Sequence, residues 1–140
     1  MKRIRRLLPL LVSLALLLSL LPGTATAQAT GPYELWVVDQ ADAANGGSKV
    51  YIYGANQLSG NNLVGQPEVI DLEAGARGVG DGPAVRPHLL LFNANHSHGV
   101  LAAVGSGHVL FIRASDRRVV GSVDVGVQAH GAVPSADNSI

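Results

Sequence analysis

The chain has 140 residues, ten basic and ten acidic, no cysteine and six aromatic rings of the Phe, Trp and Tyr kind. Four of the ten basic residues fall in the first 27, so the remainder carries six basic against ten acidic residues with no basic patch, which argues against a nucleic-acid partner. Without cysteine there is no disulfide framework, and burial with backbone pairing must hold the fold.

Lys2, Arg3, Arg5 and Arg6 precede an apolar run from Leu7 to Leu21, interrupted by Pro9, Ser13 and Ser19. Pro22 and Gly23 end the run, and Ala25-Thr26-Ala27 supplies small residues of the type a signal peptidase accepts. Fifteen residues are short for a membrane span of about 20. Residues 1–27 are therefore predicted to be a helical export signal. Residues 28–140 are then a periplasmic or secreted domain with no later membrane span.

After a polar leader, Glu34-Leu-Trp-Val-Val-Asp39 is predicted to be a strand, rich in β-formers. Asn45-Gly46-Gly47 marks a turn. Lys49 to Tyr53 is the next strand, 54–66 a loop, and Glu68 to Leu72 a third strand. The stretch 74–87, with glycines at 75, 78, 80 and 82 and prolines at 83 and 87, is predicted to be a connection without secondary structure of its own. Four strands follow, over 88–92, 99–104, 109–113 and 119–125. Ala129 to Val133 is expected to begin another, with Pro134 to Asn138 as its turn. No stretch keeps a helical period, so helix is a minor component.

Two segments repeat. His88 to Ser97 aligns without a gap on His130 to Ser139, matching His88 with His130, Ala94 with Ala136 and Ser97 with Ser139. Val50-Tyr-Ile-Tyr53 matches Val109-Leu-Phe-Ile112, and Ile70-Asp-Leu72 matches Val123-Asp-Val125. A period near 40 residues built from short strands is the signature of propeller blades. The fold class is all-β: a partial β-propeller of four-stranded antiparallel meanders. Its expected units are 33–73 and 87–126, with a third begun at 129.

Val109 to Gly126, followed by Ala129-His-Gly-Ala-Val-Pro-Ser-Ala-Asp137, resembles the YVTN-type repeat of bacterial exported β-propellers. Leu35-Trp-Val-Val-Asp39 looks like the strand that names that family, and Arg86-Pro87-His88 like its blade start. Ser135-Ala136-Asp137-Asn138 departs from the family's Ser-Pro-Asp-Gly. The resemblance implies a WD40-like repeat protein that binds a protein or a small molecule near the channel end of its blades. The alternative is a part of a periplasmic metallo- or quinoprotein-like oxidoreductase. Since a propeller closes with four to eight blades, these two units are expected to belong to a longer propeller or to need further copies to close a ring.

No residue pattern identifies a catalytic or cofactor-binding set. His88, His96 and His98 are the candidate ligands for zinc or copper, since imidazole suits both. The competing explanation is structural: His88 and His130 occupy equivalent blade-start positions. Gly78-Val-Gly-Asp-Gly82 lacks the strand-to-helix setting of a phosphate cradle. Trp36, Tyr51, Tyr53, Phe92 and Phe111 are expected to pack between blades.

Overall fold

A computed structural model describes residues 33–138. The expected export signal, residues 1–27, lies outside the described residues. The first sheet joins β1 (Glu34–Asp39), β2 (Lys49–Gly54) and β5 (Glu68–Asp71) in the order β1-β2-β5. The second joins β6 (Pro87–Phe92), β7 (His98–Ala103), β8 (His108–Arg113) and β9 (Arg118–Asp124) as a sequential meander. All of these pairings are antiparallel. The β-rich expectation therefore holds to within a residue or two for the seven strands expected between 34 and 125.

The two sheets differ in strand count, three against four, yet share a pairing pattern. In the first, Lys49 stands opposite Asp39 on one side and Asp71 on the other. In the second, His108 stands opposite Ala103 and Asp124. The sequence match of Val50 with Val109 and of Ile70 with Val123 is reproduced as Val50 opposite Ile70 and Val109 opposite Val123. A slip of one residue would turn every side chain to the other face, so equal pairing means equal faces.

Alternation along the strands builds one core between the sheets. The first sheet supplies Val50, Ile52 and Ile70, with Trp36 and Val38 packed against them. The second supplies Leu101, Ala103, Leu110 and Ile112, with Leu90 and Val119 alongside. Each fully buried aliphatic side chain contributes about 1.5–3 kcal/mol, which this cysteine-free chain depends on.

Three stretches differ from expectation. A helix, α1 (Leu72–Gly78), takes Leu72 from the end of the expected third strand and residues 74–78 from the expected bare connection. Asp71 caps it by accepting from the Ala74 amide at 2.8 Å. Leu72 and Ala76, four apart, are both buried, and Glu73 pairs with Arg77 across the same spacing. The helix packs on β9 at Gly75, where an added Cβ would lie 2.4 Å from Val119 Cγ2. The loop 54–66 holds a 3-10 turn (Ala55–Gln57) and a two-residue hairpin of β3 (Leu58–Ser59) with β4 (Asn62–Leu63). Finally, residues 129–133 form no strand, because no backbone ladder partner stands beside them among the described residues.

That last segment is nevertheless placed. The Val125 amide bonds the Gly107 carbonyl at 3.0 Å. Gly131 lies against Leu89, and the Asn138 side chain accepts from the Ala94 amide at 3.0 Å. Among the described residues no helix is long and apolar enough to cross a membrane.

Candidate functional site

The sheets meet at an open cleft of about 810 Å³, lined by Tyr33, Glu34, Trp36, Asn56, Phe92 and His96 among others. Strand ends build it. Trp36 comes from β1 and Phe92 from the end of β6, and their rings meet edge to face at 5.0 Å. Such a contact adds about 0.5–1.5 kcal/mol beyond area burial. Phe92 also meets the His96 ring, 6.2 Å away and nearly perpendicular.

The turn that carries His96 is tightly specified. Asn93 Oδ1 accepts from the His98 amide, and Asn93 Nδ2 donates to Ser97 Oγ. Asn95 Oδ1 accepts from the Ser97 amide. His96 itself takes the left-handed conformation at φ 57°. This leaves the imidazole exposed at the rim of the cleft.

Trp36 also contacts Arg117, in the turn from β8 to β9. Its guanidinium centre lies 5.0 Å from the indole centroid. It pairs with Glu34 of β1 and, at 3.2 Å, with Glu68 of β5. It also donates to the Ala114 carbonyl. Trp36 Nε1 donates to Glu34 at 3.0 Å. One side chain of the second sheet thus clasps two acidic residues and an indole of the first. Arg113 and Asp116 form a two-bond pair in the same turn, at 3.0 and 2.7 Å. Arg113 holds the Asp116 carboxyl below its ordinary value.

A second polar cluster lies beneath the α1–β6 connection. His108 is buried, with Nδ1 donating to the Ser106 carbonyl at 2.9 Å. Its Nε2 lies 3.4 Å from Asp81 Oδ1. Asp81 is held below the usual carboxylate range, first by the Ser122 hydroxyl, then by the Gly82 amide, with His108 adding to both. Asp81 Oδ2 and Ser122 Oγ are buried without a partner of strict hydrogen-bond geometry, so their contact is loose. The glycine-rich 78–82 segment serves this structural cluster.

The histidines proposed as metal ligands separate. His88 opens β6, where the Gln40 amide contacts its Nδ1 and its ring lies 4.4 Å from that of His130. His96 stands beyond the other end of the same strand, at the cleft. His98 opens β7 and contacts Ser97 Oγ at 3.0 Å. Among the described residues no three His, Cys, Asp or Glu side chains gather to hold a metal ion. Sequence reasoning misses Arg117, whose acidic partners lie 49 and 83 residues away. It also misses the pairing of Asp81 with His108.

No family model matches the chain, and no curated protein or solved structure does so either.

Proposed function

We propose that the chain is an exported repeat module of the YVTN-type β-propeller kind, with 34–71 and 87–124 as parts of successive blades. Its work is to bind a small molecule or a segment of another protein. The observation that carries the repeat reading is the equal pairing of Lys49 with Asp71 and of His108 with Asp124, on strands equivalent by sequence. The binding site in this reading is the cleft. Its aromatic floor, Trp36 and Phe92, suits a ligand with an apolar face. Glu34, Asn56 and His96 offer hydrogen-bonding groups around that floor.

Trp36 is the only tryptophan in the sequence and lines the cleft, so its emission responds to what enters there. The test is to titrate the purified chain with oligosaccharides and with short aromatic peptides while following tryptophan fluorescence. A saturable change that disappears in His96→Ala is expected. A flat response to both classes would remove the cleft as the binding site.

A further inference from the structure

The two sheets differ by one strand. Among the described residues the first has three strands with β1 at its edge, and the second has four, with β6 in the place the first leaves open. An edge strand presents a row of backbone donors and acceptors to any strand that can reach it. The chain carries a second version of β6. Residues 130–134 are the sequence match of 88–92, and they form no ladder. Val133 within them is 76% exposed.

The faces follow the same logic. Sheet pairing matches Trp36, Val50 and Ile52, which face the core, with Val100, Val109 and Phe111 on the opposite face of the second sheet, where Val100 and Phe111 are partly exposed and Val109 is already buried. It equally matches Val37, Tyr51 and Tyr53, on the outer side of the first sheet, with Leu101, Leu110 and Ile112 in the core. The outer face of each sheet therefore copies the inner face of the other. Leu35, Val37 and Val69 leave an apolar patch open on the first sheet. The far side of the second is where Gly131 already lies against Leu89.

We propose that a second copy of the chain docks head to tail. Its β1 edge takes residues 129–133 of the first copy as a fourth strand, and its outer Val37–Tyr51–Tyr53 face covers the Val100–Val109–Phe111 face. The contact continues the interface already present between the two sheets, and it rests on reading those sheets as copies of one unit. The pairing of Leu90 with Leu101 and of Leu91 with Val100 sets the register: Ala132 opposite Val37, and Val133 opposite Trp36. Backbone pairing supplies affinity and alternate side chains supply specificity. Because the two surfaces differ, the contact is heterologous and propagates into a ring or an open chain of copies.

The absence of cysteine gives a clean test. Val37→Cys and Ala132→Cys chains are purified separately, mixed and mildly oxidised. A mixed disulfide should form, and adding Val133→Asp to the Ala132→Cys chain should abolish it. Sedimentation of the parent chain should show mass rising with concentration, and Val133→Asp should lower that mass while leaving the circular dichroism unchanged. A monomer at every concentration with free thiols overturns the docking. So does a disulfide joining two Val37→Cys chains, which only a two-fold contact would give. A monomer whose β1 amides resist hydrogen exchange overturns it as well, since a strand from the same chain then fills the edge. If docking fails while ligand still changes Trp36 emission, the binding proposal stands, so the two failures read differently.

Discussion

The His88 and His130 rings lie 4.4 Å apart between centroids, tilted by 54°. They are the leading residues of the two aligned segments. A repeat whose copies stack side by side brings equivalent positions together in this way. The match is not confined to the rings, since Asn138 reaches Ala94 at the far end of the same alignment. The segment after β9 thus lies along β6 without pairing to it.

Arg117 joins the sheets, so removing it should be felt across both. Its side chain is 21% exposed, and its partners Glu34 and Glu68 are more open to solvent. Exposed pairs contribute about 0.2–1 kcal/mol each, and a cation over an indole about 0.5–1 kcal/mol. Arg117→Ala should cost about 1–2 kcal/mol in urea unfolding and shift Trp36 emission. Arg117→Lys should recover only part, because a point charge cannot bond both carboxylates and lie flat on the ring.

Gly75 reverses the usual expectation for a helix. Glycine to alanine inside a helix ordinarily gains about 0.5–1 kcal/mol. Here the new methyl would stand 2.4 Å from Val119 Cγ2. Overpacking of that kind costs about 1–3 kcal/mol, so Gly75→Ala should destabilise the chain. In a Val119→Ala background the same substitution should be neutral or stabilising. A double-mutant cycle by urea unfolding measures the difference.

These two sites mark the boundary of what is legible in the sequence. The strands are readable because Val, Ile, Leu and Tyr alternate between turn residues. Even the pairing is readable, because Val50 and Ile70 match Val109 and Val123. Of the five aromatic residues expected to pack between units, Trp36 and Phe92 meet across the sheets, whereas Tyr51, Tyr53 and Phe111 lie on the faces turned away from the shared core. Helix α1 is hidden because its signals are local and short: one Asp71 cap, one Leu72–Ala76 stripe and a glycine within. The Arg117 clasp is hidden because its parts come from three strands and turns whose proximity depends on how the sheets stack.

Asp81 makes stability depend on acidity in a fixed direction. Its carboxyl lies below the ordinary 3.8 because the Ser122 hydroxyl, the Gly82 amide and His108 favour the charged form. The unfolded chain then binds more protons than the folded one in that window, so stability rises with pH across it. The contribution is complete above 3.8 and disappears as pH falls through the lowered value. Asp116, held down by Arg113, acts in the same direction. Urea midpoints measured from about pH 5 to about pH 2.5 should fall. The fall should be smaller in Asp81→Asn, and smaller again when Asp116→Asn is added.

Gly107 decides whether the segment after β9 stays in place. Its φ of +74° favours glycine. A Cβ there would lie 1.5 Å from the Gly126 carbonyl oxygen. Alanine meets both obstacles, and the simplest relief is to move the chain beyond Asp124, since β8 and β9 are held by their own ladder. That movement would break the bond from the Val125 amide to Gly107 and pull the His130 ring away from His88. Gly107→Ala should therefore expose 125–138 to limited proteolysis while residues 33–124 remain resistant. A Gly105→Ala comparison separates the effects. Its φ is not left-handed, and its Cβ would press on Val85 and Arg86 instead. If Gly107→Ala leaves the 125–138 cleavage rate at the parent value, the segment is not anchored through Gly107.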